Sequence, residues 1–238
     1  MPHVLAAGGL GMALGLASGG LAAHYTHAIA GGQHPDAATL LHALARAGRR
    51  VPGAGGSHLA GAAVLAIACM AAWLAYGWSP RFGIVTTMAF LLCCLALIDA
   101  RTGLLPDALN IPLLLLGLAA APAIGLVANT AAALLGALAG YLMPWLLARA
   151  YQAMRGTEGM GRGDFKLAAA LGAWCGLAAL PTVLLLASIG GVAFAMVHQR
   201  TLRPCGAYPF GPFLAAAGLI VLLAPEAGIV SAALDSTH

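Results

Sequence analysis

Charge is scarce in this chain. Only 8% of its 238 residues are Asp, Glu, Lys or Arg, while 61% are hydrophobic, and an ordinary soluble domain carries about 25% charge. A water-soluble globule is thereby excluded. Carboxylates are scarcest, with seven in the whole chain, so each one needs a reason. The apolar runs lack period-two alternation, which excludes a membrane β-barrel. No CxxC pair occurs among Cys69, Cys93, Cys94, Cys175 and Cys205, and four of these five lie inside apolar runs, where a thiol behaves as a small hydrophobe. Neither a disulfide framework nor a zinc knuckle is readable. The net charge of +4 is spread over short loops and not gathered into a patch, so no nucleic-acid partner is expected.

What is present is a series of runs approaching or reaching the roughly 20 apolar residues that cross a hydrocarbon core as a helix. The expected fold is all-α, a polytopic integral membrane protein with about eight transmembrane helices, near residues 4–23, 58–77, 83–98, 110–128, 130–148, 166–179, 181–197 and 213–232. More apolar runs follow the first, so it reads as a spanning helix and not as a cleaved signal. The sixth run is short, and the Leu180–Pro181 break is either a loop between two spans or a kink in one long helix. Basic residues decide between these. With eight spans, Arg46, Arg49, Arg50, Arg101, Arg149, Arg155, Arg162, Lys166, Arg200 and Arg203 share one face and Arg81 alone takes the other, ten against one. By the positive-inside rule the crowded face is cytoplasmic. Merging the sixth and seventh runs moves the last basic loop across the membrane and spoils the pattern.

Residues 24–57 form the longest polar segment, rich in Gly, Pro, Ala and His. Part of it, 36–50, reads as a helix with Leu40, Leu41 and Leu44 on one face and cations at its C-terminal end, suited to lying along the membrane surface. His24, His27 and His34 have no carboxylate or thiol partner at a ligating spacing, so no metal site is expected.

Three stretches carry polar groups where apolar runs meet loops. Asp99 follows fifteen largely apolar residues and precedes Arg101-Thr102-Gly103-Leu104-Leu105-Pro106-Asp107. Asp107 or Asn110 is placed to cap the next helix, whereas a negative charge at Asp99 opposes the helix dipole and has no capping use. In Gly159-Met160-Gly161-Arg162-Gly163-Asp164-Phe165-Lys166, alternating glycines allow a tight bend and close approach ahead of one carboxylate. An ionisable group costs roughly 2.5 to 3.5 kcal/mol at the centre of a spanning helix on insertion scales and less toward its edge, and carboxylates beside such spans are rare enough that Asp164 is a functional candidate. Lys166 and Arg162 serve either to bias those acids or simply to orient the chain. Finally, Tyr208-Pro209-Phe210-Gly211-Pro212 sets an extended, non-helical approach to the last span, offering backbone groups to a peptide.

Asp99 and Asp164 fall at the same membrane edge in this topology. Two carboxylates brought within a few Å share a proton and titrate as a pair. One then activates water while its protonated partner polarises a peptide carbonyl, the chemistry of aspartic proteolysis. These motifs, with Leu171-Gly172-Ala173-Trp174 and Pro209-Phe210-Gly211-Pro212-Phe213-Leu214-Ala215, resemble the type IV prepilin peptidases from about Trp73 to Gly218. The resemblance implies a bacterial inner-membrane aspartic endopeptidase with Asp99 and Asp164 as its catalytic pair. Gly161, Gly163, Lys166, Pro209, Phe210, Gly211 and Pro212 are supporting motif residues. It implies prepilin or pseudopilin substrates of type IV pili or type II secretion, anchored in the bilayer by an N-terminal apolar helix and cut at the cytoplasmic face.

The resemblance fails in the N-terminal third. Many family members also methylate the new N-terminus from S-adenosylmethionine and carry a loop with paired zinc-binding cysteines, but residues 24–57 contain no cysteine. The expected organisation is a first helix with a divergent loop, 1–57, and a peptidase domain, 58–238. No metal and no cofactor are expected for proteolysis, and methyl transfer is left open. Two other readings compete. An ion- or proton-coupled transporter using Asp99 and Asp164 predicts midplane acids and an internal repeat. An inactive assembly partner is at odds with the intact aspartates.

Overall fold

A computed structural model describes residues 2–48, 55–156, 160–200 and 208–224. Among the described residues there are eight helices and no strand. Close contacts group the chain into two units, Met1–Leu109 and Asn110–His238.

The first unit holds α1 (Pro2–Ala30), α2 (Ala37–Ala45), α3 (Gly55–Tyr76) and α4 (Pro80–Thr102). Glycine decides how α1 and α3 pack. A Cβ on Gly11 would overlap the Leu65 carbonyl, and one on Gly15 would overlap that of Gly61. The two helices thus run antiparallel with their backbones touching, the usual solution in lipid, where packing replaces the hydrophobic effect. Ser18, fully buried between them, donates to the Gly15 carbonyl at 2.9 Å and lies 3.5 Å from Cys93 Sγ of α4. Helix α1 continues through His24–Ala30, so the polar segment begins later than its composition predicts, and Tyr25 is buried within the helix. Asp36 caps α2, accepting from the Thr39 N–H at 2.9 Å. Leu40 and Ala43 are buried, but Leu41 and Leu44 are 65% and 50% exposed, so the three leucines do not share a face. The buried side is set instead by Leu40, Ala43 and Ala47, whose carbonyl presses against Gly20 of α1.

The second unit contains most of α5 (Asp107–Ala123), then α6 (Thr130–Arg155), α7 (Arg162–Gln199) and α8 (Gly211–Leu223). Asn129 caps α6 by accepting from the Ala132 N–H at 2.8 Å. Gly136 of α6 meets the backbone of Gly172, and Gly140 meets that of Ala168, so α6 and the start of α7 form a second close antiparallel pair. Trp174 is fully buried and donates from Nε1 to the Leu113 carbonyl of α5 at 3.0 Å.

The 38 residues of α7 would measure about 57 Å if straight, twice a hydrocarbon core. Gly176, at φ 74 and ψ 172, interrupts the helical backbone. The chain folds back there, as α8 demonstrates. Gly190 lies against Phe213 and Leu171 against Gly218, so five residues of α8, about 7.5 Å, bridge points about 28 Å apart on a straight α7. The expected division into two apolar segments is present, but it falls at Gly176 and not at Leu180–Pro181. Glycine alone accepts this φ/ψ region readily, while Pro181 sits five residues into the second half.

Five helices, α1, α3, α4, α6 and α7, are long and apolar enough to cross a membrane, and α5 and α8 are shorter apolar helices. With α7 as two arms, the apolar helical segments follow the eight expected runs in order. The predicted end of the last run, 225–232, lies outside the described residues.

Candidate active site

Asp99 is placed by the end of α4. Ser79 opens that helix, accepting from the Phe82 N–H, and Pro80 follows at a position that needs no N–H donor. Gly103 closes it in the left-handed conformation, φ 63, its N–H bonding the Asp99 carbonyl at 2.8 Å. Thr102 secures the same turn, donating to the Ile98 carbonyl at 2.9 Å and accepting from the Leu104 N–H at 3.2 Å. Asp99 is thereby fixed in the last turn at 4% exposure. Beyond Leu104–Pro106 the chain enters α5, with Asp107 in its first turn. Asn110, the second of the two candidate caps, makes no capping bond. It is 2% exposed and neither of its side-chain polar atoms has a hydrogen-bond partner.

Asp164 is placed by the start of α7, in a different unit of the chain. Gly161 precedes the helix at φ −72 and ψ 148, and its carbonyl accepts from the Asp164 N–H at 3.2 Å. That backbone conformation is open to any residue, so what the glycine supplies is space: Asp164 Oδ2 lies 3.3 Å from where a Cβ on Gly161 would stand. Arg162 and Lys166 are exposed, Gly163 is half-buried in the first turn, and Asp164 is 8% exposed. Gly159 lies outside the described residues.

The Pro209–Pro212 stretch is not extended. Phe210 takes helical angles, φ −91 and ψ −24, and its carbonyl accepts from both the Phe213 and Leu214 N–H groups at 3.1 Å, so it opens α8 with a turn. The segment is pinned to the second arm of α7. Phe194 packs against His198, Tyr208 and Phe213, and Gln199 Nε2 donates to the Tyr208 hydroxyl at 2.6 Å.

An all-helical, multi-pass membrane protein with one buried acid at a helix end and another in a Gly-Arg-Gly-Asp turn is the class that fold and motifs define. Residues 85–196 match the type IV leader peptidase family. The chain is 44% identical over 161 residues to a prepilin leader peptidase/N-methyltransferase of Escherichia coli K12, covering 66% of this chain and 71% of that relative. Relatives of the same name from Burkholderia pseudomallei and Pseudomonas aeruginosa are 46% and 42% identical over 140 and 163 residues. Those matches cover 56% and 67% of this chain but only 45% and 56% of the relatives, about half their length. No solved structure matches. The chain belongs to the type IV leader peptidase family.

Proposed function

We propose that this chain is a membrane aspartic endopeptidase that removes the short basic leader of a prepilin or pseudopilin at the cytoplasmic face of the bacterial inner membrane. The observation that carries this reading is the burial of two carboxylates, Asp99 at 4% and Asp164 at 8% exposure, in family-matching motifs of a chain with only seven acids. The ten-to-one distribution of bases supports the cytoplasmic orientation. The peptidase machinery belongs to residues 58–238, with 1–57 supplying the first helix and the divergent segment.

In the proposed reaction one aspartate, ionised, takes a proton from water as its oxygen attacks the scissile carbonyl, while the other, protonated, donates to the carbonyl oxygen. Collapse of the tetrahedral intermediate breaks the C–N bond, and the proton held by the base passes to the leaving amine. The substrate's own apolar helix holds the bond at headgroup depth, so the lipid bilayer acts as a positioning partner.

The relatives' names also include N-methyltransferase. Asp36, the only carboxylate ahead of Asp99, caps α2. No methyl-transfer step is assigned. A carrier using the same acids is not favoured, since the reported relatives are all named leader peptidases.

Purified protein incubated in detergent with a prepilin tests the reading, with the mass of the product's N-terminal peptide giving cut site and methylation together. Asp99→Asn and Asp164→Asn are each expected to lower the rate at least about a thousandfold, since the roles are not interchangeable with an amide. Cleavage surviving either change removes the mechanism.

A further inference from the structure

At the end of α6 and the start of α7, within the second unit, lies a cleft of about 320 Å³ walled by Tyr141, Trp145, Arg149, Gln152, Arg162 and Phe165. We propose that it seats the phosphate-bearing headgroup of an anionic phospholipid. Its volume equals about ten waters at roughly 30 Å³ each, enough for a phosphodiester and its glycerol. Two arginines, Arg149 and Arg162, line this space, and among the described residues no carboxylate does. Guanidinium is the group best matched to a phosphate, binding it bidentately.

The site is built and not incidental. Arg149 lies over the Trp145 ring, 5.7 Å from its centroid, which limits its rotamers before any ligand arrives. Tyr141 and Phe165, both lining the cleft, meet edge to face at 6.0 Å and join α6 to α7 there. The depth is right as well. Counting from Thr130, where Asn129 caps α6, Arg149 stands about 28 Å along the helix, close to the roughly 30 Å thickness of the hydrocarbon core. Leu142, Leu146 and Leu147 beside the cleft are 52%, 64% and 75% exposed, as a lipid-facing surface would be. Tryptophan and tyrosine are enriched where acyl chains give way to headgroups. Arg162 and Phe165 bracket Asp164 in sequence, so an occupied cleft anchors the Gly-Arg-Gly-Asp turn at phosphate height.

The test is lipid retention, which reads the site without any substrate. The full chain is placed in nanodiscs of phosphatidylcholine with and without phosphatidylglycerol, released, and weighed by native mass spectrometry. One phosphatidylglycerol per chain is expected to remain in preference to phosphatidylcholine. Retention should fall about thirtyfold in the Arg149→Gln/Arg162→Gln double variant, and stay unchanged in Arg155→Gln, which removes an exposed cation of the same helix end outside the cleft. Arg149→Gln alone, expected to lose about fivefold, replaces the double variant if that fails to fold by circular dichroism. Equal retention of both lipids, an unchanged double variant, or an equal loss in Arg155→Gln overturns the proposal. Competition by inorganic phosphate separates the sources: displacement of the lipid by millimolar phosphate assigns the cleft to a soluble anion and overturns the lipid assignment.

Discussion

A methyl group added at position 161 would press on a carboxylate oxygen 3.3 Å away while leaving the backbone, at φ −72, unstrained. Gly161→Ala therefore separates space from conformation. The variant should fold with stability within about 1 kcal/mol of the parent and lose about tenfold in kcat, because a reacting group shifted by a few tenths of an ångström leaves its attack geometry. Turnover of a prepilin beside a thermal unfolding curve checks both halves, and an equal loss of stability and rate would make Gly161 merely structural. Residues of this kind were legible because charge is so scarce: Asp99 and Asp164 stand out against apolar runs without any knowledge of packing. Asn110 is, with Asp107, one of two candidate helix caps because a cap is a local pattern, yet its amide is buried and makes no such bond. The bond from Trp174 to the Leu113 carbonyl was equally invisible, since it joins helices 61 positions apart and leaves no periodic trace.

Among the elements, α2 and α7 respond to perturbation in ways their ends dictate. Asp36 accepts hydrogen bonds from Thr39 at the exposed start of α2, and this holds its carboxyl below the usual carboxylate range. A depressed folded value means the stabilisation is complete above the ordinary pKa and is lost as pH falls through the lowered one. Amide exchange at Thr39 and the first turn of α2 should accelerate on acidification through that window, and Asp36→Asn, which keeps an accepting oxygen, should flatten the response. In α7 the constraint is conformational. Gly176→Ala forces a side chain into a region that only glycine visits freely, costing about 1–3 kcal/mol, to be read as a lower unfolding midpoint in detergent. A midpoint unchanged by the substitution would show that the bend is not held at Gly176. The Leu180–Pro181 step and the balance of bases argue for a division of this segment, but the proline points to the wrong place. Proline near a helix start costs little, whereas a glycine's positive φ has no signature in an alanine-rich run.

For the whole molecule, the fold-back of α7 fixes which termini share a face. A helix crossing once would put Arg162 and Arg200 on opposite sides of the bilayer. Two arms meeting at Gly176 return the chain to the side it left, so the end of α6 and the end of α7 fall on one side, and the 124–129 turn on the other. This parity also keeps Arg200 on the side of Arg149, Arg155 and Arg162, as the positive-inside rule favours. The two lines of reasoning are independent, one resting on helix packing and the other on charge. In a chain whose native cysteines are replaced, Arg155→Cys and Arg200→Cys should react with an impermeant maleimide from one face of sealed vesicles, the cytoplasmic one, and Ala128→Cys from the other. Labelling of Arg200→Cys alongside Ala128→Cys would mean that α7 crosses once, that the Leu171–Gly218 contact is not made in the membrane, and that the last basic loop faces away from Asp164. A prepilin held by its helix would then meet the acid on one side and the final loop on the other.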